Sequence, residues 1–322
     1  MQQDYTYAVA RIRFRETRLL NDGDLLSLLS AKDTPSAIRL LRDKGWGDNN
    51  DVKDSEALLS LEEKKLWDFI DEIVTEQRVF DFLRVPSDFH NLKVAIKCVT
   101  RNEKPDGMLL YNAVCDPLEI FDSISKREYQ HLPEFLQNCA REAMTVLLQT
   151  SDGQLCDMII DKACMEHVVA LGKQSDNEII RLYCELFAAS GDIKIAVRSA
   201  KTKKSHDFIL RAMAECDSLD IEKLSAAAAL DFDAIISYLN LTDYKGAVEA
   251  IRTSMSAFEK WCDDYLTEVM RSQKWEPFGI GPIVAYILAR ENEMKAVRLI
   301  LSAKINNLSE ETVKERLRSM YV

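Results

Sequence analysis

The last forty-six residues, Pro277–Val322, read PFGIGPIVAYILARENEMKAVRLILSAKINNLSEETVKERLRSMYV, and three short helices can be written through them. Pro282–Arg290 opens with proline in its first turn, where the missing N–H is no loss. A second helix is expected through Ala296–Ala303, with Val297, Ile300, Leu301 and Lys304 at spacings of three and four. Ser309, followed by Glu310 and Glu311 and three residues later by Thr312, starts a third. That helix carries Val313, Leu317 and Met320 on one stripe and ends on Tyr321-Val322, an apolar end expected to dock.

The same helical period runs through the rest of the 322 residues. Glycine and proline are few, at ten and seven, and no proline occurs between Pro133 and Pro277. A helix is expected over residues 4–20, bearing Arg11, Arg13, Arg15 and Arg18 either as a solvated face or as an ion-pair surface for an acidic neighbour. Thr34 and Pro35 cap a second helix that Gly45 closes, and Trp46–Asp51 is a turn-rich loop. A long helix is predicted from Ser55 to Val85, stopped by Pro86. Pro86–Asn91 then connects to a helix over Leu92–Arg101. Further helices are predicted at Glu134–Gln149, Gln154–Gly172 and Asn177–Ser190, with Gly191-Asp192 turning the chain into Ile193–Ala200. A basic run, Lys201–Lys204, precedes helices at His206–Cys216, Asp220–Leu230, Asp231–Leu239, Tyr244–Arg252 and Met255–Lys274. Sustained alternation with period two is absent, so the fold class is all-α.

Three segments look alike: Asp88–Lys97, Gly191–Arg198 and Glu293–Ile300. Leu92–Lys97 and Ile193–Arg198 align position for position as apolar, lysine, apolar, alanine, apolar, base. The third fits more loosely. Their spacing of about 100 residues is too long for a solenoid unit and suggests three similar helical-bundle subdomains, roughly 1–110, 111–215 and 216–322.

Composition narrows the function. A chain that is 47% hydrophobic and 30% charged is an ordinary globular protein. Its longest apolar run, Ile283–Ala289, is far shorter than the roughly 20 residues a spanning helix needs. With no signal segment, the expected location is cytosolic, or at a membrane through other proteins. Net charge −11 argues against nucleic acid and against a direct anchor on anionic lipid. The eight cysteines (Cys98, Cys115, Cys139, Cys156, Cys164, Cys184, Cys216, Cys262) include no C-x-x-C pair and read as reduced structural thiols.

Catalytic patterns are missing. There is no Gly-rich phosphate loop, no G-x-S-x-G elbow and no H-E-x-x-H helix. His90, His131, His167 and His206 are scattered singly, and Asp231-x-Asp233 lacks the glycine and glutamate of a calcium loop. No catalytic, cofactor-binding or metal-binding residues are therefore assigned. A binding protein is expected, either a generic helical adaptor or scaffold or something more specific.

The more specific reading comes from a resemblance. Phe278-Gly279-Ile280, Ala285-Tyr286, Glu291, Glu293, Arg298, Lys304 and Tyr321-Val322 resemble, in order and spacing, the C-terminus of the C subunit of the V-type/A-type ATPases, the prokaryotic counterpart of the eukaryotic d subunit. Tyr5-x-Tyr7-Ala8-x-Ala10-Arg11-x-Arg13-x-x-Glu16-x-x-Leu19-Leu20 resembles that family's first helix, and Asp88–Asn91 an internal motif. The resemblance implies three alike helical domains about a pseudo-threefold axis, shaped as a funnel. It implies a non-catalytic central-stalk socket on the cytoplasmic side of a membrane, gripping shaft subunits of D and F type and seated on the proteolipid c ring. Candidate partner-binding residues are those of the three connectors, Asp88, Asn91, Asp192, Glu291 and Glu293, with the bases Lys97, Arg198 and Arg298. The competing reading makes the acids and the asparagine helix caps and pairs the bases with them.

Overall fold

The computed structural model describes residues 5–47 and 54–322. Its α-helices are α1 (Thr6–Glu16), α2 (Asp22–Ser30), α3 (Thr34–Asp43), α4 (Ser55–Ile73), α5 (Asp81–Arg101), α6 (Pro117–Lys126), α7 (Glu134–Thr150) and α8 (Gly153–Gln174). They continue as α9 (Glu178–Thr202), α10 (His206–Ala212), α11 (Ile221–Leu230), α12 (Phe232–Leu239), α13 (Val248–Thr253), α14 (Met255–Met270), α15 (Gly281–Ile305) and α16 (Glu310–Lys314). Short 3-10 turns supplement them, and no strand occurs among the described residues. The chain is all-α, as its periodicity predicts.

The helices gather into two compact units. Unit 1 comprises the described residues up to Gln77, Asn177–Ile179 and Glu249–Val322; unit 2 comprises Arg78–Asp176 and Ile180–Val248.

In unit 1 the organising element is α15, which packs against α1, α2, α3, α4 and α14. Gly281–Arg290 are all buried, as befits a helix apolar on every side. The expected break between Arg290 and Ala296 does not occur. Arg290, Asn292 and Glu293 interrupt the apolar pattern, yet they are buried within a continuous helix, because each finds a polar partner. Asp33, rather than Thr34, caps α3 by accepting from Ser36 N at 2.9 Å. Gly45, at φ +87°, ends α3 with Trp46 N donating to the Leu41 carbonyl at 3.0 Å. Of the loop expected at Trp46–Asp51, Trp46 and Gly47 are described; Asp48–Asp51 lie outside the described residues.

The chain end docks on unit 1. Met320 and Tyr321 are 2% exposed. Ser319 N donates to Asp264 at 2.7 Å, Met320 N to Asp22 at 3.2 Å, and Arg271 to the Met320 carbonyl at 3.0 Å. The third helix is shorter than expected: α16 ends at Lys314, and an irregular segment carries Leu317 and Met320. Deleting Arg316–Val322 should cost about 3–5 kcal/mol through the lost burial of Met320 and Tyr321. A thermal melt unchanged by the deletion would contradict this docking.

In unit 2, α5 packs against α6, α7 and α8. Pro86 does not stop a helix. The helix from Ser55 ends at Ile73, a new one starts at Asp81, and Pro86 lies inside it. As the sixth residue of α5, proline removes one interior hydrogen bond, near an end where the first four N–H groups are free in any case. Gly191 likewise does not turn the chain; it lies inside α9. A Cβ there would meet Met165 Sδ at 2.4 Å, and one at Gly172 would meet Cys184 Cβ at 2.5 Å. Both glycines let α8 and α9 approach closely. Asp231, with its weak calcium-loop look, caps α12. Thiols such as Cys139, Cys164 and Cys184 are buried, and burial pushes each up to about 12.

Candidate functional site

The three similar segments do not precede helices. They lie within α5, α9 and α15, of 21, 25 and 25 residues. Each of these helices carries a carboxylate with 0% exposure: Asp88, Asp192 and Glu293. Each accepts backbone N–H groups from an irregular segment elsewhere in its own unit. Asp88 receives Val114 N at 3.0 Å and Cys115 N at 2.9 Å. Asp192 receives Ala214 N at 3.0 Å. Glu293 receives Leu20 N and pairs with Arg290. These acids fasten segments that lie ahead of α6, α11 and α2, and they cap no helix of their own.

Burial is the main influence on their titration. It raises Asp88 above the usual carboxylate range, with the two N–H donors working against the rise. It pushes Asp192 up to about 7, opposed by Ala214 N–H and Lys162 and assisted by Glu185 and Glu166. Asp192 Oδ2 has no hydrogen-bond partner among the described residues. Burial also raises Glu293, opposed by Arg290, and pushes the partly exposed Glu291 up to about 7, opposed by Lys295.

Asn91 extends the Asp88 site. Its amide donates to the Leu110 carbonyl and accepts from Leu110 N, both at 2.8 Å. His90 Nε2 lies 3.0 Å from the Met108 carbonyl. One face of α5 therefore grips residues 108–115, four of whose apolar side chains are exposed. Met108, Leu110, Tyr111 and Val114 are exposed, Tyr111 at 73%. Unit 1 has a comparable loop: Arg13 donates to the carbonyls of Gln273 and Glu276, both at 2.6 Å, beneath exposed Phe278 and Trp275, the latter at 86%. Exposed apolar groups on a held backbone are characteristic of interaction surfaces.

The bases do not pair with these acids. Lys97 meets Asp157 at 2.7 Å, and the exposed Arg298 lies 3.6 Å from Glu56. Arg198 is exposed on α9. The cation that answers one of these acids is Arg290, which pairs with Glu293 and is also 2.8 Å from the buried Glu62, where Lys65 joins it at 2.8 Å. Sequence reasoning missed Arg290 and Glu62. A lone arginine closing the apolar run Ile283–Ala289, three residues before Glu293, was the available signal for one; Glu62 looked like any acid of an exposed helix.

Among the described residues, no helix is long and apolar enough to cross a membrane, and no group of three or more His, Cys, Asp or Glu could hold a metal ion.

The family model described as ATP synthase (C/AC39) subunit matches residues 8–316. The chain belongs to this family, that of the C subunit of the V-type and A-type ATPases. It is 25% identical to the C subunit of the V-type sodium ATPase of Enterococcus hirae, over 84% of this chain and 83% of that one. It is 24% identical to the C subunit of the A-type ATP synthase of Methanocaldococcus jannaschii, over 98% and 86%. It is also 22% identical to the C subunit of the V-type ATP synthase of Thermus thermophilus, over 94% of both.

Proposed function

We propose that this chain is a non-catalytic part of the central stalk, a socket that couples the shaft of a rotary V/A-type ATPase to its membrane rotor ring. Family membership over almost the whole chain is the observation that carries this reading. Its partners are shaft subunits of D and F type on one side and the proteolipid c ring on the other, and it lies on the cytoplasmic side, held through the ring. Three helical repeats around a funnel would give such a socket its shape. Transmitting torque requires stiff helices and two separate protein interfaces; it requires no nucleophile, base or metal.

The fastened loops support the reading. Asp88 and Asn91 hold Tyr111 out from unit 2, and Arg13 holds Trp275 out from unit 1. In this role Asp88, Asn91 and Asp192 in unit 2 and Glu293 in unit 1 act by setting the backbone of their own unit, and the exposed Arg198 and Arg298 offer charge for partners on units 2 and 1 respectively. Glu291 and Lys97 are half-buried and complete the candidate set.

The test is co-purification of the tagged chain from gently solubilised membranes. Shaft and ring proteins should come with it. Tyr111→Glu and Trp275→Glu alter exposed side chains, so each should keep its melting temperature and lose one partner set. Recovery of neither shaft nor ring with the unaltered chain would contradict the proposal.

A further inference from the structure

Unit 1 contains a cavity of about 70 Å³ with a cationic wall: Arg15 from α1, Arg18 in the turn just after it, Lys44 just after α3, Lys65 from α4 and Arg290 from α15. In a chain of net charge −11 this is a local reversal of sign. Three of the cations are answered. Lys44 meets Asp24 at 2.7 Å, Lys65 and Arg290 each meet Glu62 at 2.8 Å, and Arg290 also pairs with Glu293. Arg15 and Arg18 have no carboxylate partner among the described residues; they lie over the rings of Phe69 at 4.5 Å and Phe14 at 4.9 Å.

The remaining wall favours an anion of a particular size. Trp46, Phe69 and Tyr286 line it, and the one acid in the lining, Glu62, is already paired with Lys65 and Arg290; aromatic surroundings lower the local dielectric and strengthen a charged hydrogen bond. The buried indole N–H of Trp46 has no acceptor among the described residues. A guanidinium fork matches a carboxylate in a bidentate geometry. The volume suits a carboxylate-sized group and falls far below the roughly 300–1,000 Å³ of small-molecule sites. A whole nucleotide does not fit inside.

We propose that this pocket receives an acidic side chain, aspartate or glutamate, carried by a segment of a partner protein. The proposal rests on the assembly role above only for the existence of such a partner. The arginines of α1 and of the turn after it then divide their work. Arg11 pairs with Glu72 and Arg13 with Glu16, while Arg15 and Arg18 face the incoming acid.

The experiment is fluorescence anisotropy of a labelled pentaglutamate peptide with the full chain at low salt. Pentaglutamate should bind and pentaglutamine should not. Arg18→Glu, at an exposed position chosen to spare the fold, should weaken binding by roughly tenfold or more. Arg15→Gln should act in the same direction. Lys201→Gln with Lys203→Gln, which removes comparable charge from unit 2, should change affinity by less than about twofold. Equal binding by Arg18→Glu, or equal loss in the unit 2 control, would overturn the proposal. So would inorganic phosphate binding more tightly than the peptide. A chain that binds no pentaglutamate yet still brings shaft and ring from membranes loses this proposal and keeps the assembly role.

Discussion

Replacing Arg290 with leucine should lower the unfolding free energy by about 3–5 kcal/mol, the usual cost of removing one partner from a buried ionic group. Glu62 and Glu293 would be left in the core of unit 1 without the guanidinium that lies between them. Their remaining donors are Gly47 N and Lys65 for Glu62 and Leu20 N for Glu293. Burial works against the Arg290 charge, and Glu293 and Glu62 more than restore it, so its pKa stands above the ordinary guanidinium value. The guanidinium also lies 5.0 Å from the Trp46 ring, so the leucine variant loses that contact too. Arg290→Lys should lose less, because an ammonium keeps the charge but not the two-sided fork. Urea unfolding followed by helix content measures both variants. A loss below about 1 kcal/mol for Arg290→Leu would show that the acids do not depend on this cation.

Acidification should stabilise the chain through Asp192. Its folded pKa, about 7, stands above the ordinary value near 3.8, so the native state holds the proton more tightly. The contribution is fully present below about pH 4 and is lost as the pH rises through about 7. Between about pH 5 and 6.5 the native chain carries nearly one extra proton at this site, and stability falls by about 1.4 kcal/mol per pH unit. Asp192→Asn removes that proton. The difference in stability between variant and parent should therefore move in the variant's favour as pH rises, by on the order of 3–4 kcal/mol from pH 4 to 8. Asp88, Glu291 and Glu293 are also raised, but they are common to both proteins and cancel in the difference. Parallel stability curves would mean that Asp192 titrates normally.

The helical class and several boundaries were legible in local chemistry. Pro282 lies at the start of α15, Ser309 caps α16, and Gly45 ends α3, because those signals act within a few residues. The failures have a common origin. Gly191-Asp192 and the polar stretch after Arg290 read as breaks because a polar residue in an apolar run usually faces water. Here Asp192 is held by Ala214 N, 22 residues away, and Glu293 by Leu20 N, 273 residues away. Tertiary partners of that kind leave no local trace. The candidate acids were found for their place in similar segments. Their burial and their hold on backbone became visible only in the fold, as did the outward loops at Tyr111 and Trp275.

The most direct measurement of the socket role is a paired assay on cells that lack this chain. ATP hydrolysis is followed in the soluble fraction, and ATP-driven ion uptake is followed in membrane vesicles. The catalytic head should remain assembled and hydrolyse ATP, yet it should no longer sediment with the membrane, and ion uptake should vanish until the chain is restored. Vesicles without the chain that still couple hydrolysis to ion uptake at normal efficiency would contradict the account.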